Sequence, residues 1–148
     1  MVKFLGHWEL GYHAPVTEQF YWAYPLRDFG HADWNMIPVS GVKNKEQGVN
    51  LTEWDDYESF FKEFPDLKRV FVEPRTLNMP PTTWLHEYTH PEDCVYITGS
   101  AHYNPVMVHY REGIDDIITV KTDGDAGVLW ADQVTCIVMY DRQCKQWQ

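Results

Sequence analysis

The sequence is poor in basic residues and lacks long apolar runs. Of its 148 residues, 12 are Lys or Arg and 22 are Asp or Glu, so the formal net charge is −10. Because binding a phosphate backbone requires clustered Lys and Arg, this charge argues against a broad nucleic-acid or anionic-membrane surface, although it leaves room for a small basic patch. No apolar run approaches the roughly 18 residues that cross a bilayer, so we expect no transmembrane helix and no membrane partner.

Cysteines are also few. Cys94, Cys136 and Cys144 form neither an even disulfide framework nor a Cys-x-x-Cys pair, so we predict reduced thiols in a cytoplasmic protein. The first residues show no signal-peptide pattern. Aromatic residues make up 16% of the chain, which excludes an intrinsically disordered protein, and the length predicts a single domain over residues 1–148.

Strand-like and helix-like segments alternate along the chain. The strand-like segments are residues 2–10, 34–39, 68–74, 94–98 and 114–120. The helix-like segments are residues 16–28, 52–64, 80–88 and 128–142. This alternation predicts an α/β fold, with a mostly parallel sheet flanked by helices. Ligands of such sheets bind at the carboxyl ends of the strands, so the loops after Val72, Thr98 and Val120 are the candidate binding loops.

Individual residues predict where two of the helices begin and end. Pro25 should kink or end the first helix early, because proline lacks an N–H and clashes with the preceding turn. Gly30 is placed to stop that helix. Thr52 is predicted to cap the second helix. That helix carries an apolar stripe predicted to lie in the core, formed by Trp54, Tyr57, Phe60 and Phe61.

Residues 86–90 spell His-Glu-x-x-His. On a helix, His86 and His90 could hold zinc, with Glu87 as general base and Glu112 as a third ligand. Pro91 follows directly, however, and the residue before a proline is pushed out of the helical region. We therefore predict no metal here, and a zinc hydrolase is the least favoured alternative.

Two segments of the C-terminal half resemble a known family. The first is His-Pro-Glu-Asp-Cys-Val-Tyr-Ile-Thr-Gly-Ser over residues 90–100. The second is Ile-Ile-Thr-Val over residues 117–120, followed by Gly-Val-Leu-Trp-Ala-Asp-Gln-Val-Thr-Cys-Ile-Val-Met-Tyr-Asp over residues 127–141. Together they resemble the SPOUT class of knotted RNA methyltransferases, in its ribose 2′-O-methylating SpoU branch. Residues 15–20, 29–30 and 35–38 resemble the first motif of that branch in outline.

The resemblance implies a trefoil knot formed by the C-terminal segment, S-adenosylmethionine as cofactor and tRNA or rRNA as substrate. It also implies a homodimer formed through residues 16–28 and 128–142. Gly99 and Gly127 would let the cofactor approach the backbone closely. Carried over position by position, the cofactor-binding residues would be Val72, Glu73, Pro74, Gly99, Ser100, Ala101, Ile118, Val120, Gly127, Val128 and Leu129.

The chain departs from the family pattern at the positions expected to act in catalysis. Val16 and Trp22 stand where the first motif has an Asn and an Arg, and Arg27 is the nearest arginine that could replace the latter. Residues 127–129 stand where the last motif has a Ser and an Asn. We therefore keep two hypotheses: an RNA ribose 2′-O-methyltransferase, or a SPOUT-like protein that binds a cofactor or a protein partner without methylating RNA.

Overall fold

The fold is built on a sheet of seven parallel strands. The computed structural model describes residues 1–7, 15–37, 51–75, 78–100, 103–123 and 129–148. Within these ranges the strands are β1 (Val2–His7), β2 (Asp33–Ile37), β3 (Leu51–Glu53), β4 (Lys68–Val72), β5 (Thr83–Trp84), β6 (Cys94–Ile97) and β7 (Asp116–Thr119). Their order across the sheet is β3-β2-β1-β6-β4-β7-β5, and every neighbouring pair is parallel.

Helices cover both faces of this sheet. They are α1 (Pro15–Asp28), α2 (Tyr57–Glu63), α3 (Pro105–His109) and α4 (Ala131–Trp147). Parallel strands need crossover connections, and helices in those connections pack on the faces of the sheet. This arrangement confirms the predicted α/β class with a parallel sheet between helices. No helix in the described ranges combines the length and hydropathy needed to cross a membrane.

The core has two layers because successive strand residues point to opposite faces. One face packs against α1 and α4 through buried residues that include Phe4, Trp34, Val70, Tyr96 and Ile118. The other face packs against α2 and α3 through buried residues that include Leu5, Ile37, Phe71, Ile97 and Ile117. All three cysteines are free, as the sequence predicted.

Helix α1 passes through Pro25, so of the two predicted effects, a kink or an early end, the early end does not occur. Trp22, Ala23 and Leu26 are fully buried against the sheet. Burying these side chains favours the continued helix, which offsets the hydrogen bond that Pro25 cannot make. Gly30 has a φ of +90° and follows the end of the helix, which confirms its predicted role as the stop.

The second helix starts later than predicted, and Thr52 does not cap it. Thr52 lies in β3, where it pairs with Asn35, and α2 begins at Tyr57. Asp56 is the cap, because its carboxylate accepts a 2.7 Å hydrogen bond from the Ser59 N–H. Three residues of the predicted apolar stripe, Tyr57, Phe60 and Phe61, are buried in the core, which confirms that part of the prediction. Trp54, the fourth, is partly buried against them.

Residues 80–88 were predicted as a helix and form a different structure. Thr83 and Trp84 form the edge strand β5, which pairs with β7, and a single 3₁₀ turn follows at Leu85–Glu87. The open edge of β7 provides hydrogen-bond partners that no local pattern reveals. Helix α3 was not predicted, although Asn104 and the proline after it form a recognisable helix start.

Candidate functional site

The three candidate binding loops lie side by side at one edge of the sheet. Strands β6, β4 and β7 are adjacent and parallel, so their carboxyl ends meet. The Glu73 N–H donates a 3.1 Å hydrogen bond to the Ile118 carbonyl, which joins the start of the loop after β4 to strand β7. The edge therefore brings together the described residues that the resemblance selected after these strands: Val72, Glu73, Pro74, Gly99, Ser100, Ile118 and Val120.

The remaining predicted cofactor residues come from the segment before α4 and from the loop after β6. Leu129 directly precedes α4. The other end of α4 contacts the chain ahead of β6, because Arg142 donates to the Pro91 carbonyl. A helix of 17 residues is about 25 Å long, so its first turn lies toward the carboxyl ends of the strands. Ala101, Gly127 and Val128 lie outside the described residues.

Gly99 allows the loop after β6 to close on itself. The Ser100 N–H donates a 3.0 Å hydrogen bond to the Tyr103 carbonyl, and the Tyr103 N–H returns a 3.3 Å bond to Ser100. A β-carbon added at Gly99 would lie 2.2 Å from the Tyr103 carbonyl oxygen and 2.6 Å from Cδ of Pro105. The space that glycine leaves is therefore occupied by the chain itself, and Gly99 determines the shape of the loop.

Glu73 is half-buried and places a buried carboxyl oxygen beside this loop. Its Oε1 would lie 3.4 Å from a β-carbon at Gly99, and it has no hydrogen-bond partner among the described residues. Burial raises the pKa of Glu73 to about 8, so the group is mostly protonated at neutral pH. A protonated carboxyl group can both donate and accept hydrogen bonds, which suits it to a polar ligand.

Three nearly parallel rings stand at the ends of β1 and β6. His7 ends β1, and its ring centroid lies 6.0 Å from that of Tyr103 at an interplanar angle of 22°. Tyr57 stacks on Tyr103 at 5.2 Å and 13°. The Tyr57 hydroxyl donates a 2.9 Å hydrogen bond to the Thr98 carbonyl, and burial raises the pKa of this tyrosine. The rings form a rigid wall on the α2 side of the loop.

His109 extends this wall. Its Nε2 is hydrogen-bonded to the Tyr103 hydroxyl at 2.7 Å and lies 3.9 Å from a Glu58 carboxylate oxygen. Burial lowers the pKa of His109, which favours the neutral ring that the tyrosine hydroxyl can bond. Sequence reasoning missed His7 and His109, because both rings pack against Tyr57, which is distant from them in the chain.

Arg27, the candidate catalytic residue, lies away from this site. It lies in the last turn of α1, which leads to the amino end of β2. The guanidinium pairs with Asp28 at 2.8 Å and lies 4.7 Å from the Tyr24 ring centroid. Trp22, at the position where the family pattern has an arginine, is fully buried.

The His-Glu-x-x-His segment does not form a metal site. His86 and Glu87 lie in the exposed 3₁₀ turn, and the chain is already extended at Tyr88. Both ring nitrogens of His90 are engaged, one with the Tyr96 hydroxyl at 2.6 Å and one with Asp141 at 2.7 Å. The described residues contain no group of three or more possible ligands that could hold a metal. The motif therefore has a structural role.

A cleft of about 470 Å³ lies along this segment, at the amino end of β6. Its lining includes His90, Arg142 and Lys145. Lys145 donates to the carbonyls of Leu85 and Tyr88, at 2.7 and 2.9 Å. These bonds fasten the end of α4 to the chain ahead of β6, at the edge of the sheet opposite the candidate binding loops.

The architecture described above is a known class of α/β fold. Solved structures share its sheet order, its helices on both faces and its loops at one edge. The sequence matches no protein-family model and no curated protein. Solved structures match it over nearly its whole length, and they show the fold of the SpoU methyltransferases, a branch of the SPOUT class.

Three of these structures illustrate the likeness. A structure described for 2-OH methylation of C/U34 on tRNA has a TM-score of 0.74 and 15% identity, covering 100% of this chain and 92% of that one. The TrmH/SpoU tRNA-modifying enzyme of A. aeolicus has a TM-score of 0.71 and 15% identity, with 99% and 75% covered. The SpoU methyltransferase AviRb of Streptomyces viridochromogenes, solved with AdoMet, has a TM-score of 0.69 and 7% identity, with 100% and 58% covered.

Proposed function

We propose that this chain is an S-adenosylmethionine-dependent methyltransferase that modifies the ribose 2′-hydroxyl of tRNA or rRNA in the cytoplasm, with residues 1–148 forming one domain. The observation that carries the proposal is the meeting of three loops at adjacent strand ends. The resemblance selected these loops from sequence, and nothing in their spacing along the chain required β6, β4 and β7 to be neighbours. Neighbours of the same fold methylate RNA, and one was solved with AdoMet.

The residues at this edge fit such a cofactor. Adenine and ribose present amino, ring-nitrogen and hydroxyl groups, which need nearby hydrogen-bond donors and acceptors. The backbone beyond each strand end supplies both kinds of group. The unpaired oxygen of Glu73 supplies a further one, and an unpaired buried polar atom is costly unless a ligand satisfies it.

In this proposal the chain contributes binding and orientation. When bound, S-adenosylmethionine supplies an electrophilic methyl group for the ribose 2′-oxygen. The backbone of the loops containing Glu73, Gly99 and Val120 holds the nucleoside part, and the ring wall formed by His7, Tyr57, Tyr103 and His109 keeps the loop after β6 in one conformation. Such fixed geometry lowers the entropic cost of bringing the reacting atoms together.

Two measurements test the proposal. Calorimetric titration with S-adenosylhomocysteine should give micromolar binding with one site per chain. Incubation with radiolabelled S-adenosylmethionine and bulk tRNA or rRNA should then transfer label to a ribose 2′-oxygen. Lack of S-adenosylhomocysteine binding by the folded protein would contradict the cofactor assignment.

The proposal includes a homodimer formed through α1 and α4. Both helices expose large apolar side chains on the surface facing away from the sheet, namely Phe20, Tyr21, Tyr24, Ile137 and Tyr140. An exposed apolar patch of this kind is typical of a protein interface. Light scattering should give the mass of a dimer, and the double variant Tyr21→Ser/Tyr24→Ser should give that of a monomer. The trefoil knot implied by the resemblance is part of the same proposal.

One observation favours the alternative, a SPOUT-like binding protein without methylation activity. Trp22 is fully buried, so this residue cannot contact a substrate in the role that the family pattern gives to an arginine. Cofactor binding without label transfer to any cellular RNA fraction would support this second function. Stoichiometric capture of a protein partner by the cofactor-bound form would strengthen it.

A further inference from the structure

Two cations lie over one tryptophan ring at the edge of the sheet. The guanidinium carbon of Arg75 is 4.1 Å from the centroid of the Trp84 ring, and the ammonium of Lys121 is 5.5 Å from it. Arg75 also donates to the side-chain oxygen of Thr82 at 2.9 Å and to its carbonyl at 3.1 Å. These contacts hold the two charges in defined positions, and we call Arg75, Trp84 and Lys121 the cationic triad.

The triad belongs to the same edge as the candidate binding loops. Arg75 follows Pro74 at the end of β4, Lys121 follows Val120 at the end of β7, and Trp84 is the last residue of β5. Because β4, β7 and β5 are consecutive in the sheet, their carboxyl ends lie together. The triad therefore borders the loops on the side away from the ring wall.

Neither charge of the triad is paired with a carboxylate in the part of the chain that the structure describes. Five other cations pair with carboxylates: Lys3, Arg27, Lys68, Arg111 and Lys145. Arg75 and Lys121 are both exposed, and neither pairs with a carboxylate among the described residues. In a chain with a net charge of −10, such a local pair of free cations gives a polyanion a place to bind.

We propose that Arg75 and Lys121, positioned by Trp84, bind phosphodiester groups of the RNA strand whose ribose reaches the candidate cofactor edge. This inference rests on the proposed function, since it takes RNA as the substrate. A guanidinium group and an ammonium group are the usual protein partners of phosphate, and stacking on an aromatic ring orients the guanidinium. The triad supplies the local positive surface that the overall composition lacks.

The test measures the salt dependence of RNA binding. Fluorescence anisotropy with a labelled single-stranded RNA of about 20 nucleotides gives the slope of log K against log salt. Each lost phosphate contact reduces the steepness of that slope by about 0.7 for a single strand. Arg75→Gln and Lys121→Gln should each reduce it by about 0.7, and the double variant by about 1.4, with roughly tenfold to thirtyfold weaker binding at 0.1 M salt.

Lys62→Gln is the matched control, because it removes the same single charge from an exposed position in the last turn of α2. It should leave the slope unchanged. Equal slope changes in Lys62→Gln and Arg75→Gln would overturn the inference, as would an unchanged slope in the double variant. Absence of RNA binding by the unmodified protein would overturn it as well.

S-adenosylhomocysteine titration separates this inference from the proposed function. The double variant should bind S-adenosylhomocysteine with unchanged affinity. If the unmodified protein does not bind S-adenosylhomocysteine, the proposed function fails. If the double variant binds both S-adenosylhomocysteine and RNA as the unmodified protein does, only the role of the triad in RNA binding is refuted. Trp84→Leu should weaken RNA binding and Trp84→Phe should preserve most of it, because Phe retains a ring under both cations.

Discussion

The hydroxyl of Tyr57 donates a 2.9 Å hydrogen bond to the carbonyl oxygen of Thr98, which joins the first turn of α2 to the residue after β6. Both groups are buried. The loop that follows Thr98 is thereby held by a helix whose remaining apolar side chains lie in the core. Stability of the core and geometry of the candidate site are coupled through this one bond.

Tyr57→Phe should therefore affect both stability and binding. The variant leaves the Thr98 carbonyl without its donor, at a cost of about 1–2 kcal/mol in the free energy of unfolding. Chemical denaturation measures that loss, and titration should show weaker S-adenosylhomocysteine binding. Tyr110→Phe is the control, because the Tyr110 hydroxyl makes no hydrogen bond to a described residue, and it should change neither quantity. Equal unfolding free energies and equal S-adenosylhomocysteine affinities in the two variants would mean that the hydrogen bond from Tyr57 to Thr98 contributes to neither.

Gly99→Ala should damage the candidate site more than it damages the fold. The added carbon would meet the Tyr103 carbonyl at 2.2 Å, so the loop must move, and the unfolding free energy should fall by about 1–3 kcal/mol. Gly113→Ala is the control: Gly113 has a φ of +76° and no atom near the new carbon, so it should cost about 1 kcal/mol through backbone strain. Only Gly99→Ala should lower S-adenosylhomocysteine affinity, by tenfold or more in the titration. If Gly99→Ala binds S-adenosylhomocysteine as tightly as the unmodified protein, the loop after β6 is not part of the binding site.

Glu73→Gln should change the pH dependence of stability. Burial raises the pKa of Glu73 to about 8 from an ordinary value of 4.5. Between these values the folded state keeps a proton that the unfolded state has lost, so stability falls as pH rises, by at most about 1.4 kcal/mol per pH unit. Glu73→Gln should remove this fall when unfolding is measured at several pH values from about 5 to about 8. Glu112→Gln, at an exposed turn, is the control and should retain the fall of stability with rising pH. If the stability of Glu73→Gln falls with pH as steeply as that of the unmodified protein, the Glu73 carboxyl is not protonated in the folded state.

Arg142→Ala should loosen the end of α4. The buried guanidinium donates to the carbonyls of Pro91 and Glu92, at 2.6 and 3.1 Å, and to the Tyr96 hydroxyl at 2.9 Å. Removing it takes a donor from two carbonyls and from the Tyr96 hydroxyl, which keeps its bond to His90, so the unfolding free energy should fall by about 3 kcal/mol. Lys62→Ala, at an exposed position in the last turn of α2, is the control and should cost less than about 1 kcal/mol. A similar loss in both variants would show that the Arg142 bonds contribute little.

Local patterns in the sequence were sufficient for most strands and for the class of fold. The apolar runs of β4, β6 and β7 lie where they were predicted, because a short run of β-branched and aromatic residues can be recognised within a few positions. Errors arose where a distant partner decided the outcome. Thr52 joined β3 because Asn35 pairs with it, and Trp84 joined β5 because β7 had a free edge.

Some features of the candidate site could be predicted from the sequence, and others depend on the fold. The loops after Val72, Thr98 and Val120 could be selected from sequence, since strand ends and a family resemblance are local features. The burial of Glu73 beside Gly99, the stacking of His7 on Tyr103, and the two cations over Trp84 could not. Each depends on strands that are neighbours in the sheet and far apart in the chain.

The sequence by itself determined an acidic, aromatic-rich α/β chain with a parallel sheet and three candidate loops. Its composition is a sum over residues, and its periodicities are set by neighbours a few positions apart, so both can be read without a fold. Only the tertiary structure decided that β6, β4 and β7 are adjacent, that both ring nitrogens of His90 are bonded within the fold, and that two cations meet over Trp84 at the loop edge. These are long-range relationships, and the order of strands in the sheet creates them.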